Sequence, residues 1–336
     1  MKKVNKAVIL VSLVFASLAF EGGKFQVLGQ ATPGPTLVVL NKSDDSLAII
    51  DPGEMKILGK VQTGRDPHEV AHSADGRTAY VTNYAGQTSG NSLSVIYLYS
   101  KKEIRRVNLA PLLRPHGIQE IGGKIYFTSE ANRALARYDP VSDKVDWIMG
   151  TGQNSSHMIV GTPDQKRFFA TNIGSDTVTG FEFRDVPPAG STIMNIPVGK
   201  QPEAIDMLPD GREVWVGLNV DGPIAVVDTA AGKVVDRIPL GGRPYRIKFM
   251  PGAQTAAATV LETRELVFRD VTTRKVTRRM KLESEPLGIV FSRNGKTAFV
   301  SALKTDVVLK IDLEALQIVG RVVSGGTPDG IALAGM

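Results

Sequence analysis

No cysteine occurs in the 336-residue chain. Its absence excludes disulfides, thiolate metal sites, a cysteine-linked lipid anchor and c-type haem attachment, so no haem is expected. Neither sign of charge dominates: 40 Lys and Arg face 34 Asp and Glu, for a formal net charge of +6. That bias is too weak to imply a nucleic-acid partner. Phosphate loops, dinucleotide fingerprints and serine nucleophile elbows are also missing, so no nucleotide cofactor is expected. Beyond residue 20 no apolar run is long enough to cross a bilayer as a helix. Aromatic residues are few, at 6%, whereas 34 Gly and 19 Pro point to a chain broken by many tight turns.

The first thirty-one residues read as a leader. Lys2, Lys3 and Lys6 precede an apolar stretch from Ala7 to Phe20, the pattern of a secretory signal peptide. Small residues place cleavage after Ala19 or Ala31. Loss of the three lysines lowers the net charge to about +3, because Glu21 and Lys24 offset each other. The mature chain is therefore expected in the periplasm or secreted, as a monomer without a transmembrane segment.

A repeat decides the architecture. Pro67, Pro115, Ser156 (in place of Pro), Pro202, Pro244, Pro286 and Pro328 are separated by 48, 41, 46, 42, 42 and 42 residues, a period that points to a propeller or similar array. About eight residues after the anchor come Asp75-Gly76, Asp164, Asp210-Gly211, Gly252 or Asn294-Gly295, turn formers that join antiparallel strands. An apolar strand follows, as in Tyr80-Val81-Thr82-Asn83, Tyr126-Phe127-Thr128-Ser129 and Phe169-Ala170-Thr171-Asn172. A third strand often ends in Asp, at Asp228, Asp270 and Asp312. Four short antiparallel strands make one propeller blade. The carboxyl terminus supplies only a first strand at Ile331–Leu333. The segments 36–41, 46–51 and 56–61 supply a second, third and fourth. The expectation is all-β: a seven-bladed β-propeller over residues 36–336, its ring closed by one C-terminal and three N-terminal strands.

Tyr80-Val81-Thr82-Asn83, the Gly-x-x-Pro segments and the Asp-Gly turns resemble the bacterial YVTN-repeat (YncE-like) β-propellers over essentially the whole mature chain. One repeat, Arg114-Pro115-His116-Gly117 followed by Tyr126 to Glu130, is also similar to units of the virginiamycin B lyase type. The resemblance implies a fold and leaves the chemistry open, since propellers host many functions.

The residue after each anchor should sit at one mouth of the central channel. Those residues are His68, His116, His157, Glu203, Tyr245, Leu287 and Asp329. Three of the four histidines share this slot in successive blades, where random placement would put about 0.08 of a histidine in seven such positions. His68, His116, His157 and Glu203 form a ligand set suited to Zn²⁺ or a similar divalent metal. Glu69 and Glu130 are further candidates near the same mouth. Arg65, Arg114 and Arg243 flank the anchors, where they can meet an anionic ligand, and Gly86 to Asn91 forms a candidate gating loop. His72 reads as a satisfied channel-side residue, and the basic run 274–281 as an outer strand protected by its charges. The functional expectation is a propeller binding a small molecule or an envelope protein at a His-lined mouth. Two alternatives stay open: a metal-dependent lyase, lactonase or hydrolase using that site, and a protein-interaction scaffold.

Overall fold

A computed structural model describes residues 34–188 and 190–335; the expected leader lies outside them. Seven four-stranded antiparallel sheets form the blades, and the only helical segments among the described residues are three short 3-10 turns. Every anchor opens the innermost strand of its blade: Pro67–His72, Pro115–Ile121, Ser156–Gly161, Pro202–Met207, Pro244–Phe249, Pro286–Phe291 and Pro328–Ala334. Proline tolerates this place because the first residue of a strand can forgo its ladder donor.

The closing blade has the expected composition. Strand Pro328–Ala334 pairs with Thr36–Asn41, which pairs with Ser46–Asp51 and then Lys56–Gln62. Two core clusters rest on this closure. Ala332 and Ala334 pack with Val38, Leu47 and the next blade's Val81 and Ile96. Leu333 packs with Leu37, Val39 and the preceding blade's Phe299 and Val308. The remaining cores likewise lie between neighbouring sheets, as where Trp215 and Val226 meet Ile247, Ala258 and Val267. Outer strands are mostly exposed, with half-buried or buried residues interspersed. The basic segment Val276–Lys281 is one of them, and its charges blunt the edge.

Two local devices prepare the channel mouth. The pairing of every innermost strand with its second strand breaks register near the anchor, between Pro67 and Val70, Pro115 and Ile118, or Ser156 and Ile159 for example. Such bulges interrupt the alternation and re-aim side chains. A hydroxyl at the Thr position of the Tyr-Val-Thr-Asn segment then ties five of the blades to the next, Leu40 and Gly217 standing there in the other two. Thr82 Oγ1 accepts from the Glu69 amide at 3.1 Å and donates to the carbonyl of His116 at 2.7 Å. Thr128 accepts from Gly117 N and donates to the carbonyl of His157 at 2.6 Å. Ser301 does the same for Gly288 and Asp329. The repeated hydroxyl thus pins the backbone of the residue that follows the neighbouring anchor. The side chains of His116, His157, Glu203, Leu287 and Asp329 start from a fixed point.

Candidate functional site

His116 and His157 extend from two of those fixed points and meet His68. His68 Nδ1 lies 2.8 Å from His116 Nε2, and the His116 and His157 rings lie 3.6 Å apart between centroids. His157 is bracketed by carboxylates, with Nδ1 2.5 Å from Glu130 and Nε2 3.0 Å from Glu203. Tyr84 donates to the other oxygen of Glu130 at 2.6 Å, and Asn219 donates to the other oxygen of Glu203 at 3.1 Å. His116 is 3% exposed and His157 8%. His116 Nδ1 is buried with no hydrogen-bond partner. His116, Glu130 and His157 each offer one ligand atom, and these atoms lie within 4.8 Å of one another.

Electrostatics separates the two central imidazoles. Burial, then the charges of His157 and His68, holds His116 well below the ordinary imidazole range, so it stays neutral. Burial also works against a charged His157, but Glu203 and Glu130 outweigh it and push its pKa up to about 9. Glu203, despite the cost of burial, is drawn down to about 2 by His157 and then Arg246. Glu130 is lowered in the same way, chiefly by its hydrogen bond to His157. Neighbouring imidazoles thus depress His116, whereas His157 is raised because it has two carboxylates at hydrogen-bond distance.

On the far side of the mouth sits Arg246, 5% exposed. Its guanidinium contacts Glu69 closely and lies 3.8 Å from Glu203 and 3.7 Å from Asp329. It also covers the ring of Tyr245, whose hydroxyl donates to Asp329 at 3.1 Å. Lys42 reaches the same Asp329 oxygen at 3.4 Å. The mouth is therefore a continuous polar network with cations and carboxylates interleaved.

Of the expected site residues, His116, His157 and Glu203 meet as the slot implies, and Glu69, Tyr245 and Asp329 join them through Arg246. His68 stands one step outside, turned between His116 and Asp66, whose carboxylate lies 3.3 Å from its Nε2. Glu130 comes nearer to His157 than Glu203 does, because it directly follows the second strand of the His116 blade and faces the next blade's histidine. Arg114 lies over the Tyr84 ring with Nε 3.8 Å from Glu130. Arg65 and Arg243 are exposed. Arg243 pairs with Glu262 at 3.0 Å and does not reach the histidines. Leu287 is buried and adds no polar atom. The segment 86–91 is held by backbone bonds from Ala85 to Arg65, Gly90 to Tyr84 and Arg114 to Gly90. Arg246, Lys42, Tyr84, Asp66 and Asn219 were not expected. Arg246 had a sequence signal: it stands two residues after its anchor, as Glu69 does.

A family model described as a YNCE-like β-propeller matches residues 105–294. Among solved structures, Kuenenia stuttgartiensis hydrazine synthase superposes with a TM-score of 0.73 at 20% identity, over 87% of this chain and 99% of that one. A functionally unknown protein from Desulfotomaculum acetoxidans gives 0.73 at 13% identity, over 89% and 98%. The dihydro-heme d1 dehydrogenase NirN in complex with DHE gives 0.64 at 14%, over 88% and 74%. At such identities the likeness is one of fold alone. No curated protein matches the sequence.

Proposed function

This chain belongs to the YNCE-like β-propeller family, and from that premise we propose that it is an exported binding propeller whose channel mouth holds a divalent cation through His116, Glu130 and His157. Export rests on Lys2, Lys3 and Lys6 ahead of the Ala7–Phe20 run. One observation carries the cation reading: the ligand atoms of these three residues gather within 4.8 Å, beside a His116 Nδ1 that is buried without a partner. An orphaned buried acceptor or donor is costly in a native protein and calls for an occupant. Two imidazoles and one carboxylate suit Zn²⁺ and leave a coordination position for a ligand arriving from the mouth. Glu203 on the second nitrogen of His157 supplies the partner that orients such a ring.

The cation has a competitor, the proton on His157. Below a pKa of about 9 that ring is protonated and bonded to both carboxylates. His116 is already neutral, and Glu130 and Glu203 are already ionised. Binding must therefore expel one proton, and affinity should rise about tenfold per pH unit on approach to pH 9. Titration with Co²⁺, followed by its optical absorption between pH 6.5 and 8.5, reads this directly. An affinity that is flat above pH 7 would contradict the assignment of His157 as a ligand.

A further inference from the structure

A cavity lies at the other end of the innermost strands, away from His68, His116 and His157. It is an open cavity of about 560 Å³, lined largely by the last residues of those strands. That volume suits a small organic molecule. Its wall is mainly apolar, with half-buried Met207, Phe249, Met250, Val290 and Ile331 facing the space. Phe249 in turn meets the buried Trp215 edge to face, 5.2 Å between centroids.

The charged groups in this lining are unequal. The lining holds two carboxylates, Glu120 and Asp206, and one lysine, Lys248. Each carboxylate is held by a backbone amide: Glu120 Oε1 accepts from Gly123 at 2.7 Å, and Asp206 Oδ2 accepts from Phe249 at 2.8 Å. Lys248, half exposed, reaches only one oxygen of Asp206, at 3.5 Å. One carboxylate charge is therefore left over beside an aromatic and aliphatic wall. That combination matches a molecule with an apolar body and a cationic head, because the wall removes apolar surface from water while the head meets the surplus charge.

We propose that this end of the channel binds a small organic amine, its apolar body against Phe249 and Val290 and its ammonium drawn to the side of Glu120 and Asp206. The site shares no residue with the cation site, and it should fill whether or not a chelator is present.

The test uses the full mature chain and 2-phenylethylammonium, with 3-phenylpropanoate as a probe of similar size and opposite charge. Calorimetry gives affinity, and tryptophan fluorescence reports through the Phe249–Trp215 contact. The expected result is saturable amine binding, at least tenfold tighter than the carboxylate, with the preference falling severalfold in Glu120→Gln. Val290→Trp should abolish binding of both probes by filling the cavity. Its melting temperature shows whether it folds, and Glu120→Gln keeps the test decisive if it does not. No saturable amine binding, a carboxylate that binds as tightly, or an unchanged preference in Glu120→Gln would overturn the proposal.

Discussion

A chain ending at Thr327 is expected to be largely insoluble, and any soluble fraction should melt about 10–20 °C below the full-length protein. The missing residues are the whole innermost strand of the closing blade. Leu333, Ala332 and Ala334 leave two separate clusters, each of which joins the closing blade to a different neighbour. Full burial of a side chain the size of Leu contributes about 1.5–3 kcal/mol, so the lost burial alone reaches several kcal/mol. The deletion also strips Thr36–Asn41 of its inner partner and exposes the unpaired edge of a strand whose residues after Thr36 are all buried. Such an edge is a template for aggregation. At about 2–4 °C per kcal/mol for a chain of this class, the expected fall in melting temperature follows. Soluble yield and thermal unfolding by circular dichroism check it. A truncated protein melting within a few degrees of the parent would mean that the ring does not depend on this strand.

Arg246→Met is expected to cost about 3–5 kcal/mol, the scale found when one partner of a buried ion group is removed. The guanidinium contacts Glu69 and lies within 4 Å of Glu203 and Asp329, and all four groups are buried or nearly so. Methionine fills much of the volume but leaves the three carboxylates facing one another, with Lys42 touching only Asp329. Burial already raises the pKa of Glu69 against the pull of Arg246. Loss of the cation would push it further, toward protonation. Denaturant unfolding of the variant measures the cost; a loss below about 1 kcal/mol would show that the mouth tolerates the bare carboxylates.

The two devices that shape the mouth were unequally visible in the sequence. Turn residues and anchors mark the strands because Gly, Asn-Gly and Pro act locally through their own backbone limits. Thus 36–41 and 46–51 coincide with strands of the closing blade, and all seven anchors begin innermost strands. The residue after the anchor was likewise legible as a shared slot, which brought His116, His157 and Glu203 into view. Arg246 and the full role of Glu69 were hidden because a regular strand alternates its side chains, so two consecutive residues should not both serve the mouth. The register break after the anchor removes that restriction. Arg243 drew attention as a neighbour of Pro244, yet it lies before the strand begins and turns to Glu262. Tyr84 and Asn219 follow second strands; the partner of Tyr84, Glu130, comes from the next blade 46 residues away, whereas Asn219 meets Glu203 of its own blade 16 residues back. Nothing in a local pattern announces such a pairing.

The cation site is tested most directly by equilibrium dialysis of the purified chain against Zn²⁺ at pH 8, with His116→Ala and His72→Ala treated alongside and bound metal measured by elemental analysis. The neighbouring Thr82 bonds to the His116 carbonyl, not its ring, so His116→Ala keeps the tie between blades and should melt close to the parent. His72, at the opposite end of its strand with Nδ1 on the Ser73 carbonyl, controls for incidental histidine binding. The expected result is one zinc per parent chain, the same in His72→Ala, and an affinity lower by about 100-fold or more in His116→Ala. A parent that retains no zinc, or a His116→Ala variant that retains as much as the parent, would contradict the site.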